Sequence, residues 1–174
     1  AKELAAGLHN NRALTDLNIS ANGIGQNVAV PELMEQYGVT YKMERDGNMY
    51  YRNKYDDKMM EEICPNHCGS PIGIIAIADA IKKNGALEKL LMARNALCTE
   101  GAGHALREML KNNSTLTELD LSHNHDYTVG ANNWGSLAQG LADGVKNNRA
   151  LTSLNLNHNY IPIATLDKIK TILD

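Results

Sequence analysis

The chain has 174 residues and a net charge of −3, a size that suits one domain with a continuous core. Lys and Arg are scattered rather than clustered, which excludes the basic face that nucleic-acid binding requires. No run of roughly 18 apolar residues is present, which excludes a membrane-spanning helix. Cys64, Cys68 and Cys98 are too few for a disulfide scaffold and point to a reducing, cytoplasmic setting.

In chain order, residues 4 to 8 read as the tail of a helix. The segment Leu14 to Asn22 reads as a short strand ending at a turn. A long stretch, roughly Gln26 to Ser70, breaks the pattern. Within it, Pro31 to Tyr37 and Asp56 to Ile63 look like short helices, with Pro and paired Asp at their starts. Val39 to Glu44 and Asn48 to Arg52 look like a β-hairpin turning at Asp46-Gly47. Ile74, Ile77, Ala78 and Ile81 then recur at helical spacing. A second strand, Leu87 to Asn95, is followed by a helix carrying Ala105, Leu106, Met109 and Leu110. A third, Leu116 to Asn124, is followed by one carrying Leu137, Leu141, Ala142 and Val145. A fourth, Leu151 to Asn159, precedes a last amphipathic helix with Leu166, Ile169, Ile172 and Leu173.

The four strand segments share one pattern, L-x-x-L-x-(apolar)-x-x-N. Asn10 to Ile19 and Asn147 to Leu156 agree at eight of ten positions. Apolar residues two apart bury one face of a strand and leave the residue between them in solvent. The closing Asn sits where the chain turns, placed to bond backbone groups of adjacent turns. In each unit the helix's last apolar residue lies six positions before the next motif's first Leu. The unit running from Leu87 through Asn95, Leu97, Gly101, Leu106 and Leu110 resembles the leucine-rich repeat of the ribonuclease-inhibitor type. The resemblance implies an α/β solenoid, a horseshoe with a concave parallel sheet and convex helices. It covers residues 1–174 as one array, apart from the 26–70 insertion. Because the chain opens in mid-repeat, it is expected to be a fragment of a longer array, and the last helix is expected to cap the stack.

The motifs start at residues 14, 87, 116 and 151, so the gaps are 73, 29 and 35 residues. Against the 29-residue unit, the first gap carries about 44 extra residues and the last carries six. Both insertions fall after the closing Asn and before the helix, on one edge of the array. Insertions gathered on one face of a solenoid often mark the binding face. The long one holds five of the seven tyrosines, Tyr37, Tyr41, Tyr50, Tyr51 and Tyr55. They are either contact residues or the insertion's own small core. Trp134, in the short insertion, either plugs the adjoining helix or contacts a partner.

The solvent-facing strand positions are Asp16, Asn18 and Ser20; Lys89, Leu91 and Ala93; Glu118, Asp120 and Ser122; and Ser153, Asn155 and Asn157. Leu91 is apolar where polar residues are expected, which marks it as a contact candidate. Cys64, His67 and Cys68 offer three zinc-type ligands without an evident fourth, and structural cysteines in an ordinary loop explain them better. His123, His125 and Asp126 cluster after the third strand, and His158 repeats the column of His123 one unit later. The repeat accounts for that column, which also holds Ala21 and Arg94. No phosphate-binding loop or nucleophile elbow is present.

The expected function is therefore a non-enzymatic protein–protein interaction module without a cofactor. Its partner surface is Asp16, Asn18, Lys89, Leu91, Glu118, Asp120, Ser153 and Asn155, joined by Tyr41, Tyr50, Tyr51 and Trp134. No nucleic acid, membrane or small-molecule substrate is expected as partner. The alternatives are a regulator or activator of a GTPase, with Arg94 and Asn95 as candidate edge residues, and the sensor segment of a larger receptor-like protein.

Overall fold

The computed structural model describes residues 1–24, 40–43, 49–52, 71–97, 99–124 and 134–173. The elements, in order, are α1 (Lys2–Asn10), β1 (Asp16–Asn18), β2 (Thr40–Met43), β3 (Met49–Arg52), α2 (Ile72–Ile81), β4 (Lys89–Leu91), α3 (Glu100–Asn112), β5 (Glu118–Asp120), α4 (Trp134–Lys146), β6 (Ser153–Asn155) and α5 (Ile163–Leu173). The four motif strands form one parallel sheet in the order β1-β4-β5-β6. Each helix packs on the helix of the neighbouring unit, α1 on α2 and so on to α5. The mixed α/β layering follows from the sequence: a three-residue strand can bury only one face, and a helix must cover it.

The register aligns the repeat residue for residue. Leu17, Leu90, Leu119 and Leu154 are Cα partners across the sheet. Leu87, Leu90, Met92, Leu116 and Leu119 have no exposed surface, and they meet Ile74, Ile77, Leu106, Leu110 and Leu141 from the helices. Each fully buried Leu or Ile contributes about 1.5–3 kcal/mol. Helix α2 is buried at nine of its ten residues, as an all-apolar helix must be. Helices α3 and α4 approach most closely at glycine: a Cβ on Gly140 would collide with the carbonyl of Gly103. Thr99 caps α3, its Oγ1 accepting from the Ala102 N–H at 3.2 Å.

Two asparagine ladders join the units. The first uses the Asn that closes each motif. Asn95 Oδ1 accepts from the Asn22 N–H at 3.0 Å, Asn124 Oδ1 from the Asn95 N–H at 2.6 Å, and Asn159 Oδ1 from the Asn124 N–H at 2.6 Å. Their Nδ2 groups donate to carbonyls of the preceding unit: Asn95 to Ile19, Asn124 to Met92 and Asn159 to Leu121. Asn95, Asn124 and Asn159 are buried, as the repeat pattern predicts. Asn22, in the first unit, is exposed.

The second ladder is absent from the sequence reading. Asn11, Asn84, Asn113 and Asn148 each stand three residues before a motif's first Leu. Each Oδ1 accepts two backbone N–H groups that follow it, at residues 13 and 14, 86 and 87, 115 and 116, and 150 and 151. The Nδ2 of Asn84, Asn113 and Asn148 reaches back to the end of the preceding helix. Asn84, for example, donates to Leu8 and Asn11 carbonyls at 2.7 and 2.9 Å. These bonds satisfy the carbonyls that every helix leaves open at its C-terminus.

Helix α5 packs on α4. Ile169 is buried and Leu166 half-buried, but Ile163 is 77% exposed and Ile172 38%. The helix covers the last unit with one side and presents apolar residues on another.

The candidate binding face

The sheet positions place two rows of side chains on its outer face. In the first, Asp16, Lys89, Glu118 and Ser153 are successive Cα partners. In the second, the partners are Asn18, Leu91, Asp120 and Asn155. Asp16, Asn18 and Ser153 are exposed; Lys89, Leu91, Glu118, Asp120 and Asn155 are half-buried. Alternation forces this arrangement, because the intervening leucines turn inward. Ser122, read as solvent-facing, is buried instead. Its row lies where the strands turn toward the loops, and there Ser20 Oγ accepts from the Ala93 N–H at 3.1 Å.

The face is electrostatically uneven. Three carboxylates, Asp16, Glu118 and Asp120, surround one ammonium, Lys89. Lys89 Nζ lies 2.7 Å from Glu118 Oε1. The Glu118 hydrogen bond pushes the Lys89 pKa above the ordinary lysine value of 10.5; desolvation opposes this, and the charges of Glu118, Asp16 and Asp120 reinforce it. Both side chains are more than a third exposed, so the pair organises the face more than it stabilises the fold. With Lys89 engaged, the unpaired charge on the rows is negative.

At the loop edge, the residue before each closing Asn adopts a left-handed backbone: Ala21 at φ 58°, Arg94 at 57°, His123 at 55° and His158 at 59°. Only glycine takes this conformation without cost, yet none of the four is glycine. The sequence carries no signal of it beyond the shared position. His123 and His158 stack there with ring centroids 4.1 Å apart and planes 17° from parallel. That matches the column that their spacing predicts.

Asn95, taken as an exposed edge residue for GTPase regulation, is buried instead. Its Oδ1 and Nδ2 are occupied within the ladder. Arg94 is exposed. Tyr41 and Tyr51 are Cα partners in the antiparallel β2–β3 pair, and Tyr50 partners Lys42. Trp134 is the first residue of α4. The two short helices expected in the insertion, Cys64, His67, Cys68, His125 and Asp126 lie outside the described residues. Among the described residues no group of three His, Cys, Asp or Glu side chains is placed to share a metal ion. No helix among them is long and apolar enough to cross a membrane. On the helix side, α1 and α2 flank an open trough of about 500 Å³ lined by Lys2, Ala5, His9, Ala76, Lys82 and Lys83, far from the sheet rows in the fold's layering.

No protein-family profile matches the chain, and no curated protein matches it in sequence. Among solved structures, it is similar to the tropomodulin C-terminal domain of Caenorhabditis elegans, at 9% identity and a TM-score of 0.44. The alignment covers 98% of this chain and 89% of that one. Neither a partner nor an activity follows from a likeness at that level.

Proposed function

We propose that the chain is a leucine-rich-repeat solenoid of the ribonuclease-inhibitor type, curved as a horseshoe, that binds a partner protein through its sheet. The observation that carries this reading is the pair of register-aligned rows on the sheet's open face. Each of the four parallel strands contributes two side chains to one surface, and the three carboxylates are set around a single lysine. Such a surface recognises a shape and a charge pattern, which supports a non-enzymatic role. The surplus of carboxylate favours a basic surface on the partner. Leu91, half-buried among polar neighbours, supplies an apolar contact of the kind that anchors interfaces. The tyrosine-rich insertion adds to this surface, and the setting is cytoplasmic. Regulation of a GTPase is the weaker reading, since burial of Asn95 leaves it only Arg94.

The test is site-specific photo-crosslinking in lysate. A photoreactive residue at Asn155 captures a partner, and one at Lys111 on helix α3 does not. Capture from Lys111 alone places binding on the helices and refutes the proposal.

A further inference from the structure

Leu91 departs from a pattern that the other three strands of the parallel sheet keep. In the second row, Asn18, Asp120 and Asn155 each accept the backbone N–H two residues further on. Asn18 Oδ1 accepts from Ser20 at 3.0 Å, Asp120 Oδ1 from Ser122 at 2.8 Å and Asn155 Oδ1 from Asn157 at 3.1 Å. These short side-chain bonds turn the chain off the strand and toward the loop. Leu91 is the Cα partner of Asn18 and Asp120 in that row, and its side chain has no acceptor to offer. The N–H it would serve, that of Ala93, donates instead to Ser20 Oγ of the neighbouring unit at 3.1 Å. The fold thus meets the requirement from next door and keeps an apolar side chain where local structure favours Asn or Asp. The core does not ask for that side chain. Leu90 and Met92 fill the inward positions and have no exposed surface, while Leu91 is half-buried on the open face.

The charges around Leu91 are not equivalent. Lys89, two residues back on the same face, is held by Glu118 at 2.7 Å. Asp16 Oδ2 accepts from the Thr15 hydroxyl at 2.8 Å. Asp120, beside Leu91 on the next strand, has one carboxylate oxygen fixed by the Ser122 N–H. That bond sets the orientation of the group, and its other oxygen has no hydrogen-bond partner among the described residues. Adjacent strands lie roughly 4.8 Å apart, so an apolar side chain and an oriented carboxylate stand side by side on the face.

We infer that Leu91 and Asp120 together seat an arginine side chain of the partner protein, its methylenes on Leu91 and its guanidinium on the Asp120 carboxylate. The inference rests on the reading of the sheet face as the partner surface and names the group recognised there. Arginine fits both halves of the seat. Its stem is apolar, and its head is planar and weakly hydrated, so it lies across two strands and bonds the carboxylate along one edge. A lysine ammonium is compact and strongly hydrated, and it loses more on leaving water. Lys89 does not compete for Asp120, because Glu118 already engages its ammonium.

Two substitutions separate the seat from the fold. Asp120→Asn keeps the Oδ1 acceptor, as Asn18 and Asn155 do in the same row, and removes only the charge. Leu91→Asn restores the local bond to the Ala93 N–H and removes only the apolar contact. Neither lowers the thermal midpoint. The probe is N-acetyl-arginine methylamide, titrated into the intact chain and followed by amide NMR, with the citrulline compound as a neutral control of the same shape. Shifts are expected to centre on residues 91–93 and 120–122. The arginine compound binds about three- to ten-fold tighter than citrulline, the range of a charge-assisted bond at a half-exposed site. Asp120→Asn brings the two compounds level, and Leu91→Asn weakens both alike. Equal binding of the two compounds by the wild-type chain, shifts centred elsewhere, or no shifts at all overturns the inference. So does a lower midpoint for Leu91→Asn, which would assign Leu91 to the fold. The photo-crosslink from Asn155 tests the face separately: capture there beside a negative arginine titration leaves the sheet as partner surface and removes only the arginine seat.

Discussion

Asn124 Oδ1 accepts the backbone N–H of Asn95 at 2.6 Å, across two motifs 29 residues apart in sequence. The bond is buried at both ends and joins one unit to the next where no strand ladder reaches. Asn124→Ala leaves that N–H without a partner, so unfolding free energy falls by about 2–3 kcal/mol. Asn22→Ala, at the exposed start of the same ladder, changes it by less than about 0.5 kcal/mol. Urea denaturation of the two variants checks the contrast. Equal losses would mean that the ladder does not tie the units together.

The helix layer makes a matching prediction. Gly140→Ala drives a methyl group into the Gly103 carbonyl and costs about 1–3 kcal/mol, because backbone cannot step aside as a side chain can. Gly7→Ala, in α1 with nothing within 4 Å of the added carbon, raises stability by about 0.5–1 kcal/mol through helix propensity. Thermal unfolding separates the two.

Left-handed backbone at Ala21, φ 58° and exposed, predicts a gain from glycine. Ala21→Gly relieves strain of about 1–2 kcal/mol, partly offset by the freedom glycine has in the unfolded chain. The net effect is a small rise in the urea midpoint. A fall would show that the strain is absent.

These effects show what the sequence can and cannot carry. The strands and the buried closing Asn95, Asn124 and Asn159 were readable, because spacing of Leu and Asn maps directly onto which side of a strand faces inward, whereas the parallel sheet was implied only by the resemblance to a known repeat. Asn11, Asn84, Asn113 and Asn148 are equally periodic but lie outside the leucine pattern that defines the motif. The left-handed column was hidden because Ala, Arg and His share no chemical mark of it. Burial of Ser122 and exposure of Ile163 and Ile172 were beyond spacing alone. They depend on where the strands turn and on what packs beside α5.

Lys89 and Glu118 predict a pH dependence with a defined sign. The folded-state pKa of Lys89 is raised by the Glu118 hydrogen bond, so folding favours the ammonium. The pair's contribution is fully present below the ordinary lysine value and is lost as pH climbs through the raised one. Glu118→Gln returns the Lys89 titration, followed by NMR at its Cε, toward 10.5. The stability difference between wild type and this variant shrinks at high pH. A Lys89 titration that Glu118→Gln leaves unmoved would mean that the two side chains are not paired in solution.

The sheet face as partner surface is tested most directly by charge reversal. Glu118→Lys with Asp120→Lys inverts the rows while leaving every leucine and both asparagine ladders in place. Affinity capture from lysate, run beside the wild-type chain and a chain lacking residues 26–70, reads the outcome. The account predicts that the reversed chain, folded by circular dichroism, loses the partner that the wild type retains. Undiminished capture by the reversed chain would contradict it and move binding away from the sheet.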